Sequence, residues 1–183
     1  MQRSGNETML ECVAAAERCT GALLRHEATE SVNEMILVFG GAYQGKREFA
    51  EEQFGGSVFE CAEIGAANHE EATSPEGAPS VGAVPECDVP DFSADIVCGL
   101  ENFTWACCTE DPAQRIEAKD WMMERREEWQ DKVLIITDVS QGIVPMDART
   151  RAFREMNGRL MLYLAAEAEE VWRVFCGIGK RIR

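Results

Sequence analysis

The sequence has only two histidines, His26 and His69, and none of its eight cysteines forms a CxxC pair. That leaves little from which to build a zinc site. Basic residues are also scarce, with 18 Lys and Arg against 33 Asp and Glu and a net charge of -15. A field of that sign repels phosphodiester backbones and anionic headgroups, so neither nucleic acid nor a membrane surface is an expected partner. No apolar run approaches the ~18 residues that span a bilayer. The N-terminal stretch carries Glu7 and Glu11 without a long apolar core, so no secretory leader is expected. The cysteines are therefore expected to be reduced thiols of a cytoplasmic protein, most of them acting as small core hydrophobes.

What remains is ordinary globular material: 183 residues, 45% apolar and 28% charged. One domain with a substantial core is expected over residues 35–183, preceded by an extension over 1–34. Residues 7–24 have helical composition, with Met9, Val13, Ala16, Leu23 and Leu24 able to form a stripe. That segment reads either as a docking helix or as an appended surface helix.

The stretch that carries chemistry is MILVFGGAYQGKREFAEEQF, residues 35–54. An apolar β-prone run leads into a turn with Gly40, Gly41 and Gly45, and helix-forming residues follow. This is the layout of a phosphate-binding loop, and Gly40-x-x-x-x-Gly45-Lys46 matches its first seven positions. The glycines let backbone N–H groups close around phosphate oxygens, and the helix N-terminus adds the positive end of its dipole. Gly40, Gly41, Ala42, Gly45, Lys46 and Arg47 are the candidate nucleotide-binding residues, with Lys46 as a mobile point charge on the outer phosphates. The motif's eighth position normally supplies a Ser or Thr hydroxyl to Mg²⁺. Here it is Arg47, which cannot ligate a metal.

Further along, a helix is predicted over 47–54, stopped by Gly55-Gly56, and a strand over 57–64. Four prolines lie in residues 65–90, which predicts a long irregular segment serving as a lid or as a plain variable loop. A third strand is predicted over 93–100, placing Glu101 at its end. Glu101-Asn102-Phe103-Thr104 then resembles a Walker B region. Pro112 opens a long helix predicted over 111–130. Val133 to Ile136 is a β-branched-rich buried strand that closes at Thr137-Asp138, again putting an acid at a strand end. A helix over 149–170 carries Arg151 and Arg154 on one face, to hold a phosphate or to pair with acids. A last strand over 171–175 precedes Gly177-Ile178-Gly179 and a basic tail. The alternation predicts an α/β fold, a doubly wound, mostly parallel sheet of the P-loop nucleotide-binding type.

These residues resemble the adenosylcobinamide kinase / adenosylcobinamide-phosphate guanylyltransferase family of cobalamin biosynthesis. The opening ILVFGGAYQGKREFAEEQFG is similar to that family's ILVTGGARSGKSRFAE-type start. Asp138-Val139-Ser140-Gln141-Gly142-Ile143-Val144-Pro145 resembles its NEVGxGIVP segment. Phe153-Arg154-Glu155, Gly158-Arg159, Leu164-Ala165-Ala166, Glu170-Val171-Trp172 and Gly177-Ile178-Gly179 follow in the family's order and spacing. The resemblance covers roughly residues 35–60 and 93–183. It implies a nucleotide-dependent transferase, often trimeric, that uses ATP or GTP with Mg²⁺ to phosphorylate adenosylcobinamide and then transfers GMP through a guanylylated histidine. Carried over, Gly40, Gly41, Gly45 and Lys46 would hold phosphates, while Glu101 and Thr104 would face the metal and Asp138 the next strand end.

The departures are equally specific. Arg47 stands at the metal-binding hydroxyl, Tyr43-Gln44 replaces the family's Arg-Ser, and Met161 stands where the family often has Asn. The family's R-I-x-x-H helix after the second strand has no counterpart, and His69 lies in an unrelated context (AANHEEA). Two readings follow. In one, the chain is a kinase with guanylyl transfer doubtful, using Lys46 on the transferring phosphate and Glu101 and Asp138 to position Mg²⁺ or the attacking hydroxyl. In the other, it is a catalytically degenerate nucleotide- or corrinoid-binding protein, with the Arg47 guanidinium replacing the charge of Mg²⁺.

Overall fold

A computed structural model describes residues 34–61 and 89–183. The helix expected over 7–24, both histidines and nearly all of the irregular segment expected over 65–90 lie outside these residues. Among the described residues a six-stranded sheet runs in the order β2-β3-β4-β1-β5-β6. Its strands are β1 (Ile36–Gly40), β2 (Val58–Glu60), β3 (Ile96–Cys98), β4 (Val133–Thr137), β5 (Glu170–Phe175) and β6 (Ile178–Arg181). The first five are parallel, and β6 returns antiparallel along β5. The fold is the expected doubly wound, mostly parallel α/β sheet of the P-loop type.

Central β1 is flanked on both sides, with Ile36 opposite Val133 of β4 and Glu170 of β5. All five residues of β4 are buried, as a parallel strand covered on both faces requires. Alternate side chains feed two cores. Leu37, Val97, Leu134, Ile136 and Val171 meet Leu100, Phe103, Met122, Leu160 and Leu164 on one face. Val38, Ile96, Ile135 and Val174 meet Ala50 and Phe49 on the other. Each fully buried large apolar side chain contributes about 1.5–3 kcal/mol, which is why the pattern dictates the layering.

The helices are α1 (Lys46–Phe54), α2 (Leu100–Cys107), α3 (Ala118–Glu124), α4 (Arg126–Trp129) and α5 (Ala148–Glu167). From β1 the chain moves past β4 and β3 to β2, whereas from β4 it moves the other way, past β1, to β5. Right-handed crossovers in opposite directions put α1 and α5 on opposite faces. The connections therefore part at the C-terminal ends of the neighbouring strands β1 and β4, the place where open α/β sheets form their ligand crevice.

Three expectations are corrected. The strand expected over 93–100 is only Ile96–Cys98, because Gly99 at φ 76 turns the chain into α2. The single helix expected over 111–130 is broken into a 3₁₀ turn (Pro112–Gln114), α3 and α4. The break at Arg125 lets Trp129, fully buried, donate its indole N–H to the Met122 carbonyl at 2.9 Å. The basic tail is not a tail: Lys180 and Arg181 lie in β6, which closes a hairpin through Cys176 and Gly177.

Candidate functional site

The loop between β1 and α1 is built by close approach. A Cβ on Gly40 would lie 2.3 Å from the Val174 carbonyl oxygen, so only glycine lets β1 leave the sheet here. Gly45, at φ 75, occupies the N-cap of α1 and offers no capping side chain. Among the described residues, the backbone N–H groups of Ala42, Tyr43, Gln44, Gly45 and Lys46 have no acceptor. Unpaired donors at the start of a helix are what an anion needs.

Lys46 is 9% exposed and its Nζ donates to the Gly41 carbonyl at 2.8 Å, folding the ammonium back into the loop. Burial pushes its pKa below the ordinary lysine value, and the negative field of Glu101, followed by that of Glu48, offsets only part of that effect. Among the described residues a cation held this way is short of partners and poorly hydrated.

The loop is also held from the far side. Gln44 accepts the Cys176 N–H on its Oε1 and the Gly177 N–H on its backbone carbonyl, each at 2.8 Å. A Cβ on Gly179 would fall 2.2 Å from the Phe49 ring, so glycine at 179 lets the hairpin lie against α1. The hairpin thus belongs to the loop's support. Sequence reasoning quoted Gly177 and Gly179 but did not connect them with Gln44.

Across the crevice the acids are already occupied. Glu101 lies not at a strand end but in the first turn of α2. Its two carboxylate oxygens accept from the Thr137 hydroxyl at 2.5 Å and the Thr137 N–H at 2.9 Å. The Thr137 carbonyl takes the Asn157 amide at 3.0 Å, and the next N–H, of Asp138, donates to the Gly40 carbonyl at 2.8 Å. One peptide segment therefore links Glu101, α5 and the glycine loop. Asn157 is buried with its own Oδ1 unpaired among the described residues, so the link is not fully satisfied. Thr137 and Asn157 were not singled out from the sequence, and only the position of Thr137 before Asp138 pointed to them.

Asp138 sits at the expected strand end, but its carboxylate closes a local turn. It accepts from the Ser140 N–H at 2.9 Å, the Ser140 hydroxyl at 2.5 Å and the Gln141 amide at 3.4 Å. Burial works to raise its pKa, yet these donors and Arg173 outweigh it and hold the carboxyl below its usual range. Arg154 gathers the following loop by donating to four carbonyls, those of Val139, Ser140, Gln141 and Ile143. Arg151 does the same for Pro145 and Met146. Among the described residues neither arginine pairs with an acid, one of the two roles the sequence had offered.

Two expected site residues are placed elsewhere. Thr104 was expected to face a metal; α2 starts early, so Thr104 is fully buried one turn inside it, donating to the Leu100 carbonyl at 2.9 Å. Arg47 was expected over the phosphates, but its guanidinium turns to Glu51 at 2.8 Å and Glu60 at 2.5 Å, and the hydrogen bond to Glu51 leads the influences that raise its pKa. With Arg47 paired, Thr104 buried and Glu101 committed to Thr137, the described donor set does not fit a protein-held Mg²⁺. No cluster of three His, Cys, Asp or Glu side chains suited to a metal is found among the described residues.

A glycine loop with open N–H donors and a buried lysine, at the reversal point of a parallel sheet, defines an α/β domain of the P-loop nucleotide-binding type. Residues 97–182 match the model of the family described as cobinamide kinase / cobinamide phosphate guanyltransferase. The match takes in just under half of the chain, and this part is similar to that family. The proteins named bifunctional adenosylcobalamin biosynthesis protein CobU from Salmonella typhimurium and Escherichia coli are each 47% identical to it over 51 residues. Each match covers 28% of this chain and 28% of the relative, so the aligned stretch spans little more than a quarter of either. The family match begins at Val97 and does not include the glycine loop. No helix among the described residues is long and apolar enough to cross a membrane.

Proposed function

We propose that the chain binds a nucleoside triphosphate, ATP or GTP, in the 40–46 loop and serves the kinase step of cobalamin biosynthesis on a cobinamide-type acceptor. The observation that carries this is the buried Lys46 ammonium folded onto Gly41 beneath five unpaired backbone donors. On binding, Lys46 exchanges the Gly41 carbonyl for the outer phosphate oxygens, and the loop N–H groups take the remaining oxygens. Both keep their hold as charge develops on the transferring phosphoryl group. Glu101 acts on Lys46 through its field and fixes the end of β4 through Thr137, so it is a positioning residue rather than a metal ligand. Asp138 shapes the loop on the acceptor side.

Guanylyl transfer fits less well, since neither His26 nor His69 stands in a segment like the family's histidine helix. The acceptor class, a cytoplasmic location and assembly into a homo-oligomer, including a trimer, rest on family resemblance. A second reading is favoured by one observation: the pairing of Arg47 with Glu51 and Glu60, which leaves the hydroxyl position of the loop without a donor. In that reading the chain binds nucleotide or corrinoid without turnover.

The two are separated by incubating the protein with γ-labelled ATP or GTP, Mg²⁺ and adenosylcobinamide. Label appearing in the corrinoid, and lost in Lys46→Ala, supports the kinase. Nucleotide binding without label transfer supports the degenerate reading. Arg47→Ser should then raise transfer and its Mg²⁺ dependence if the rest of the site is competent.

A further inference from the structure

A second cleft lies beside the N-terminus of α5, lined by Trp105, Glu110, Pro112, Arg115, Asp147, Ala148 and Arg149 and enclosing about 520 Å³. Two of its walls are guanidinium groups delivered from different parts of the chain. Arg149 donates its Nε to the Cys108 carbonyl at 2.6 Å, and Arg115 donates its Nε to the very next carbonyl, Thr109, at 3.0 Å. Adjacent peptide carbonyls thus hold two arginines side by side by their inner nitrogens. Among the described residues the terminal nitrogens of Arg115 have no partner, and those of Arg149 have only Glu110, at 4.0 Å from a side chain that is 89% exposed. Arg149 is further fixed by stacking over the Trp105 indole, 4.1 Å from Cζ to ring centroid, and Trp105 is braced edge-on by Phe153.

Two carboxylates, Glu110 and Asp147, share the lining, and Glu110 is largely exposed. Asp147 is committed as the N-cap of α5, accepting from the Thr150 N–H at 2.7 Å and hydroxyl at 2.8 Å. In a chain of net charge -15, two oriented guanidinium forks whose ion partner among the described residues is the largely exposed Glu110, 4.0 Å from Arg149, are an exception that calls for a ligand. The cleft also lies on the functional side of the sheet. Asn157 already meets Thr137 at the end of β4, so the turns of α5 before it run beyond the C-terminal edge of the strands.

We propose that this cleft is a second oxyanion site, separate from the glycine loop, which takes a phosphate or carboxylate group between Arg115 and Arg149. It does not depend on the kinase reading. The test follows the Trp105 indole N–H in ¹⁵N-correlated NMR spectra of the full chain, assigned with Trp105→Phe, during titration with inorganic phosphate and, separately, acetate. A saturable Trp105 shift with phosphate that Arg115→Gln weakens roughly tenfold, and Lys46→Ala leaves unchanged, supports the site. A stronger response to acetate with the same Arg115 dependence also supports it and names a carboxylate as the group. Glu110→Gln, on an exposed side chain, should strengthen binding two- to threefold, which keeps the proposal testable should Arg115→Gln fold poorly. A Trp105 signal indifferent to both anions, or one that shifts equally in Arg115→Gln, overturns it.

Discussion

Residues 40–46 and residues 137–157 flank one crevice, yet they keep their polar groups in opposite states. On the loop side, among the described residues, five backbone N–H groups lack acceptors and the Lys46 ammonium meets one carbonyl. On the β4–α5 side the two candidate acids are taken up, Glu101 by Thr137 and Asp138 by Ser140 and Gln141. The first side leaves donors open, whereas the second spends its acceptors on its own rigidity. Loop glycines cost conformational entropy that phosphate can return, whereas a buried carboxylate must be hydrogen-bonded within the protein or remain unstable. The loop thus keeps its donors open, while the candidate ion ligands Glu101 and Asp138 are structural.

Breaking the loop side has the largest expected effect. Gly40→Ala places a methyl 2.3 Å from a backbone oxygen of β5, which cannot move without disturbing the sheet. It should lower unfolding free energy by about 3 kcal/mol or more, read as the urea midpoint. Thr137→Val breaks the other side by removing the hydroxyl that satisfies Glu101. A loss of about 1–3 kcal/mol is expected, with a rise in the Lys46 pKa if Glu101 moves toward it. A stability unchanged by Thr137→Val would show that Glu101 is not held as described.

Titration sharpens the contrast without a mutation. Because burial lowers the Lys46 pKa in the folded protein, phosphate affinity of the loop should fall as pH rises, with a midpoint below the ordinary lysine value of 10.5. The same shift has the opposite sign for stability. Between the folded and unfolded pKa values the unfolded chain binds more protons, so this residue's contribution to stability rises with pH. The smallest effect belongs to Arg47→Ala, whose ion pairs are about half exposed and should contribute no more than about 1 kcal/mol. A larger loss would mean that Arg47 braces the loop itself.

The fold was legible because its signals are local: a β-prone run, a glycine turn, a helix, repeated. Where the structure differed, a single local feature had been outweighed by packing. Gly99 ended a strand early, and the chain bent at Arg125 to bury Trp129. The site divided in the same way. Lys46 and its glycines lie within seven residues, so their spacing alone marks them as candidates. Glu101 meets Thr137 across 36 positions and Gln44 meets Cys176 across 132, and no local pattern reports such pairs. Arg47 was misread for a related reason, since Glu51 is local but Glu60 arrives from the next strand.

The central claim is that the loop binds nucleotide through Lys46 and its backbone donors without help from a protein-held metal. Isothermal titration of the full chain with ATP and GTP, with Mg²⁺ and with EDTA, tests it directly when repeated on Lys46→Ala. The expected result is binding in both buffers that falls at least tenfold in the variant. Heat changes absent in both buffers, or binding equal in wild type and Lys46→Ala, would contradict it.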